Sequence, residues 1–194
     1  AVYELAPKDT ILVTDVGQHQ LWAARYFDYD LPGTFISSGG FGTMGYGAGA
    51  SMGAALAKPD RTVVLISGDG SFRMNCNELA TMEHYGIPVI VLVMNNGVLG
   101  MVRQWQTVFY QKRYSQTNLD RGPDFAKLAE AYGISGTRVC SLEQFNEAFG
   151  EALASHRPAV IDCRIGCDET VTPMVAPGKP ITEFILHEHH DAQG

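Results

Sequence analysis

Residues 61–96 constrain the fold more than any other stretch. They hold two unbroken apolar runs, "RTVVLIS" and "IPVIVLVM", each the length of one strand and rich in β-branched residues. A strand that is apolar at every position has both faces buried, the pattern of a parallel sheet covered by helices on both sides. Between the runs, "NELATMEHYG" carries Leu79, Met82 and Tyr85 at helical spacing, with Gly86 as a stop. Two strands joined by a single helix pair in parallel and finish at the same edge of their sheet. The spacing therefore predicts that Asp69, in the turn after the first run, lies beside Asn96, after the second. Open α/β sheets take their ligands at that carboxyl edge.

The rest of the chain repeats the alternation. "ILVTDV", "TFIS", "TRVC" and "AVIDCRI" read as strands. "GQHQLWAARYF" reads as a helix that gathers Leu21, Ala24 and Tyr26. "AGASMGAALA" is a helix of small residues, which lets a sheet or another subunit approach closely. "VLGMVRQWQTVF" follows the asparagine pair as a further helix, and "QKRYSQTNLDRG" is a polar loop. "PDFAKLAEAYG" has Pro123 near its start and Gly133 at its end. "SLEQFNEAFGEALASH" opens with Ser141 and Gln144 at capping-box spacing. The order predicts an α/β fold: a doubly wound, mostly parallel sheet with helices on both faces. Residues 1–165 form the domain. Residues 166–194, with Pro173, Pro177 and Pro180 and no clear period, read as its extended C-terminal arm. "AVYELAPKDT" opens abruptly, as a segment cut from a longer protein would.

A length of 194 residues suffices for one domain with a full core, and 45% hydrophobic with 18% charged residues excludes a disordered chain. The net charge of −7 weighs against nucleic acid as the main partner. No run is apolar enough to span a bilayer and no signal-peptide start is present, so a cytoplasmic protein without a membrane partner is expected. Cys76, Cys140, Cys163 and Cys167 include no CxxC pair and read as free thiols.

Gly40, Gly42 and Gly45 spell GxGxxG, and Asp69 closes the next strand, an arrangement close to a dinucleotide fingerprint. That fingerprint requires neither a Gly-Ser after its acidic residue nor an asparagine pair on the following strand. Gly-Asp-Gly-Ser has a chemistry of its own. It delivers one carboxylate and then the exposed amides of a helix start, which suit a hard cation and phosphate. Asn96 adds a neutral oxygen from the adjacent strand. The set describes Mg²⁺ bridging the protein and a diphosphate. Residue chemistry alone also allows Asp69 to be a helix cap and Asn95–Asn96 a turn.

GDG, about two dozen residues and then NN is a pattern that resembles the thiamine-diphosphate enzymes. "VGQHQLWAA", "SSGGFGTMGYG", "GDGSFRMNCNELATMEHYGIPV", "NNGVLGMVRQWQ" and the tail "VTPMVAPGK" resemble more narrowly the large catalytic subunits of acetohydroxyacid (acetolactate) synthases. The resemblance covers the chain as their C-terminal, pyrophosphate-binding domain. It implies side-chain Mg²⁺ ligands at Asp69 and Asn96, with the Val98 carbonyl as a third. It implies diphosphate contacts from Gln18, His19 and the amides of Gly70 and Ser71. The Gly42 carbonyl would accept from the aminopyrimidine, Met44 would support the bent cofactor, and Met101 and Trp105 would line the substrate pocket. The implied reaction decarboxylates pyruvate and joins the remaining two-carbon unit to pyruvate or 2-ketobutyrate, opening branched-chain amino-acid synthesis.

In the family a glutamate from the pyrimidine-binding domain of a neighbouring subunit assists. Neither Glu78 nor Glu83 fits that role, so no catalytic residue is expected within these residues and the chain alone should be inactive. A homo-oligomer, a possible regulatory subunit and FAD held elsewhere in a parent protein are further implications. The alternatives are a non-catalytic diphosphate-binding module and another thiamine-diphosphate decarboxylase, carboligase or oxidase. His84 and His156 are expected to play no part, and His187, His189 and His190 read as a solvated tail. Gly97, where many relatives would carry a larger residue, is expected to loosen the loop beside the metal.

Overall fold

The computed structural model describes residues 1–119 and 122–186. A short helix α1 (Val2–Leu5) leads into β1 (Ile11–Thr14), α2 (Gln18–Tyr26), β2 (Phe35–Ser37), α3 (Gly47–Ala57) and β3 (Val63–Gly68). Next come α4 (Asp69–Phe72), a 3₁₀ turn (Cys76–Glu78), α5 (Leu79–His84), β4 (Val89–Asn95) and α6 (Gly100–Phe109). The chain continues through α7 (Phe125–Ala131), β5 (Ser135–Val139), α8 (Leu142–Ser155) and β6 (Ala159–Arg164) to β7 (Met174–Val175) and β8 (Phe184–Ile185).

Six strands form one sheet in the order β2-β1-β3-β4-β6-β5, every pair parallel. Successive residues of each strand feed opposite layers. Val13, Leu65 and Val91 meet Met52 of α3, Leu79 and Met82 of α5, and Phe125 of α7. Leu12, Val64 and Leu92 meet Ala23 of α2 and Phe149 of α8. This is why the strands read as continuous apolar runs. The chain leaves β1 toward β2 on one side and returns to β3 on the other, which makes a switch point between β1 and β3 at the carboxyl edge.

Several local expectations need correction. Tyr85 does not join Leu79 and Met82 in the core but is 71% exposed. Helix α5 stops at His84, and Tyr85 caps it at φ −98°, ψ 0°, so it leaves the helical register. Helix α2 buries Gln18, His19 and Ala23, while Leu21 and Tyr26 are exposed. Ser141 caps α8 by accepting from the Gln144 amide at 3.3 Å, but Gln144 reaches back to the Cys140 N–H, one residue before the cap. Helix α7 is capped by Asp124, whose side chain accepts from the Lys127 amide. All four cysteines are free thiols. His187, His189 and His190, expected as a solvated tail, lie outside the described residues.

The tail is held by side chains of α2 and α6. Trp22 Nε1 donates to the Thr170 carbonyl at 3.4 Å, Arg25 to that of Thr172, and Arg103 pairs with Asp168 at 2.7 Å. Further on, β7 and β8 close a small antiparallel hairpin. No helix among the described residues is long and apolar enough to cross a membrane.

Candidate functional site

At the switch point a cleft of about 330 Å³ opens between the segment after β1 and the segment after β3. Its walls include Gln18, His19, Met44, Asp69, Gly70, Ser71, Asn96, Val98 and Met101, which the sequence scatters over more than eighty positions. Two candidates stand outside it. Gly42 lies on the loop above, at φ +62°. Trp105 lines a neighbouring cleft of about 670 Å³ with Tyr110 and Arg113, packed edge-on against Phe109 at 5.5 Å. Met101 borders both clefts.

His19 is buried at the start of α2, and its ring is wedged against the backbone of β3. A Cβ on Gly68 would fall 2.8 Å from Nδ1, so glycine is what admits the ring. Burial pushes the imidazole down to about 4, opposed only by a hydrogen bond to the Asp15 backbone. The ring is therefore neutral near pH 7. Its Nε2 is buried with no hydrogen-bond partner, and the residue lines the cleft.

Asp69 opens α4, where the first-turn amides are unpaired within the helix. Burial pushes its carboxyl up, against the amides of Asp69, Gly70 and Gly97 and the charge of Arg164. Ser71 spends its hydroxyl on the Val16 carbonyl at 2.8 Å, so its amide is what it offers the cleft. Gly97 turns the chain at φ +71°, and the loop it begins is not loose. The Gly97 carbonyl accepts from Leu119 N–H at 2.7 Å, and Leu99 N–H donates to Thr117 at 2.7 Å. Those two bonds flank the Val98–Asn118 bridge, which turns the Val98 carbonyl away from its partner strand.

The two asparagines divide their tasks. Asn95 donates to the buried Asp162 at 2.7 Å, and Asp162 also accepts from Arg138 at 3.1 Å, tying β4, β6 and β5 together. Asn96 faces the cleft. Its Oδ1 accepts from Val98 N–H at 3.1 Å and its Nδ2 donates to Gln18 Oε1 at 3.4 Å.

Sequence reasoning missed two buried residues. Asp15 accepts from Gly45 N–H at 2.8 Å and Ser67 Oγ at 2.9 Å, and the amides of Tyr46 and Gly47 also face it. The start of α3, where a GxGxxG loop would hold a phosphate, is thus filled by the protein's own carboxylate. The available signal was an acidic residue directly after a fully apolar strand. Gln104 is the buried residue of α6 and takes both backbone groups of Val171. Nothing in its amphipathic helix distinguishes it from Gln106.

Among the described residues, no group of three or more His, Cys, Asp and Glu could hold a metal. The set at this cleft is of another kind: one carboxylate, one amide oxygen and one backbone carbonyl. Those are hard oxygen donors, and magnesium completes such a set with phosphates and water. In donor chemistry the residues present fit a metal-bound diphosphate: Asp69, Asn96 and Val98 line one cleft with the first residues of α4, and a buried nitrogen of His19 lacks a partner.

Residues 15–163 match the family model described as "Thiamine pyrophosphate enzyme, C-terminal TPP binding domain". The chain is 47% identical over 184 residues to a probable acetolactate synthase large subunit of Methanococcus aeolicus, covering 94% of this chain and 31% of that protein. It is 45% identical over 179 residues to the acetolactate synthase isozyme 2 large subunit of Escherichia coli (strain K12), covering 92% and 33%. Among solved structures it resembles a thiamine diphosphate-dependent 4-hydroxybenzoylformate decarboxylase of Rhodococcus jostii RHA1, with a TM-score of 0.78 and 33% identity over 87% of this chain and 32% of that one. The chain spans about a third of the length of the curated relatives it matches.

Proposed function

The chain belongs to the thiamine pyrophosphate enzymes as their C-terminal TPP-binding domain, and from that premise we propose that its cleft holds thiamine diphosphate through Mg²⁺ in an acetolactate synthase. Asp69, Asn96 and the Val98 carbonyl would hold the ion. The amides of Gly70 and Ser71, with His19 Nε2, would face the diphosphate. Gln18 would stand beside them at the diphosphate; its Nε2 donates to Gln104 and to the Glu169 carbonyl, and its Oε1 accepts from Asn96. Met44 would lie against the bend of the cofactor, with the Gly42 carbonyl toward its aminopyrimidine.

When bound, the cofactor supplies the electron sink that lets a 2-keto acid lose carbon dioxide. The chain's own contribution is to bind, orient and exclude water. Val16, Met44, Met94, Leu99 and Met101 make the cleft wall largely apolar. The parent protein would condense pyruvate with a second pyruvate or with 2-ketobutyrate, in branched-chain amino-acid biosynthesis. Met101 and Trp105 would contact the acceptor. Asp69 is the only carboxylate in the cleft wall among the described residues, so the assisting glutamate would come from outside this chain, in a homo-oligomer. A regulatory subunit and FAD bound elsewhere complete the reading.

The observation that carries it is the meeting of Asp69, Asn96 and His19, whose Nε2 is buried without a partner, in one cleft at the switch point. Asp69→Asn removes the only carboxylate there among the described residues. It should weaken Mg²⁺-dependent thiamine-diphosphate binding by about 10- to 100-fold in calorimetry, with little loss of melting temperature. Unchanged affinity would leave Asp69 as no more than an acidic residue in the first turn of α4.

A further inference from the structure

Three side-chain amides run from the tail to the proposed metal corner, and backbone groups fix the orientation of each. Val171 N–H donates to Gln104 Oε1 at 2.9 Å, and the Val171 carbonyl accepts from Gln104 Nε2 at 2.9 Å. Gln18 Nε2 donates to the Glu169 carbonyl at 2.7 Å and to Gln104 Oε1 at 2.9 Å. That leaves Gln18 Oε1 for Asn96 Nδ2, at 3.4 Å. At the far end Val98 N–H donates to Asn96 Oδ1 at 3.1 Å. A carbonyl cannot donate and an N–H cannot accept, so turning over any one amide would set like against like. Gly100 leaves the room for this: a Cβ there would fall 2.0 Å from Gln18 Oε1 and 2.7 Å from Asn96 Nδ2.

We propose that Gln104 is a positioning residue that acts through Gln18 to hold Asn96 with its oxygen, rather than its nitrogen, toward the Val98 side of the cleft. An asparagine amide has nearly the same shape in either orientation, but only one of them offers oxygen to a hard cation. The relay selects that orientation before any ion arrives, so ligation needs no amide rotation. This inference rests on the cofactor reading above. The competing account is that Gln104 only pins the tail. Two substitutions separate the accounts. Gly100→Ala displaces the amide of Gln18, and with it the Glu169 contact, while leaving the Trp22, Arg25, Arg103 and Gln104 anchors of the tail in place. Arg103→Ala cuts the Arg103–Asp168 pair and leaves the relay intact.

The experiment titrates Mg²⁺ into the protein with thiamine diphosphate by calorimetry, and follows side-chain amide exchange at Asn96 by NMR without metal or cofactor. Gln104→Met and Gly100→Ala should raise the half-saturating Mg²⁺ concentration about 10- to 100-fold. Both should also speed exchange at Asn96, and Gly100→Ala should do so without a lower melting temperature. Arg103→Ala should move neither readout. Unchanged exchange in Gln104→Met would overturn the relay. Faster exchange with an unmoved Mg²⁺ requirement, while Asp69→Asn does move it, would overturn the positioning role and leave the cofactor reading standing. An Mg²⁺ requirement unmoved by Asp69→Asn would remove the metal reading and the role of Gln104 with it. Equal shifts in Arg103→Ala and Gly100→Ala would assign the effect to the tail.

Discussion

His19 is buried where a positive charge has no counter-ion, and that gives the protein a pH dependence that can be isolated. Its folded value, about 4, lies below the unfolded 6.5, so between the two the unfolded chain binds more protons. Stability from this group is complete above 6.5 and is lost as pH falls toward 4. The ceiling is about 3 kcal/mol. Asp15 and Asp69, raised by burial, act with the opposite sign above their ordinary 3.8, so the whole-protein curve mixes the two effects. The His19→Gln difference curve does not. Melting temperatures from about pH 7 down to about pH 4 should fall more steeply in the wild type than in His19→Gln. Parallel curves would place the ring in contact with solvent. The residue type and its place after β1 were legible in the sequence. Its burial was not, because the space it occupies is made by Gly68, about fifty residues away.

At the scale of elements, the strand–helix units were legible because each has its own period, and the apolar runs appear as β1, β3, β4 and β6 with nearly the expected ends. Polar residues that join elements were not legible, since their partners are distant in sequence. Asp15 is the clearest case. It fastens β1 to the start of α3 and so fixes the loop bearing Gly42 and Met44. Asp15→Asn keeps the shape but turns an N–H₂ toward donors that want an acceptor. Hydrogen bonds to a charged group contribute about 1.5–3 kcal/mol, so a loss on the order of 2 kcal/mol is expected in denaturant unfolding. Amide exchange should rise at residues 42–47 while β4 stays protected. A uniform rise across the sheet would mean that Asp15 supports the core and not the loop. The anchors of the tail were hidden for the same reason as those of Asp15: they are side chains on α2 and α6 that meet its backbone carbonyls.

On the scale of the whole molecule, the question is what a domain that spans about a third of the length of its relatives does by itself. Both faces of the sheet are covered and the core layers are continuous, so the chain has what it needs to fold. Its surface near the cleft is unlike that of a solitary protein. Phe41 is 99% exposed at the tip of the loop that carries Met44, and Met74, which that loop meets at Gly45, is also exposed. On α3 the outward positions are Gly49, Gly53 and Leu56, a smooth face on which another surface can sit closely. Exposed aromatic and aliphatic groups of this kind favour association. Residues 1–194 alone should therefore self-associate in sedimentation velocity, with a concentration dependence that Phe41→Ser weakens. They should also form negligible acetolactate from pyruvate with Mg²⁺ and thiamine diphosphate present. Among the described residues Asp69 is the only carboxylate on the cleft wall, Glu83 is paired with Arg157 at 3.1 Å, and Glu78 accepts from Thr81 at 3.1 Å. None of the three can take the part of the assisting glutamate. Robust product formation by the isolated chain would mean that an acid within these residues reaches the cofactor, and would overturn the division of labour proposed here.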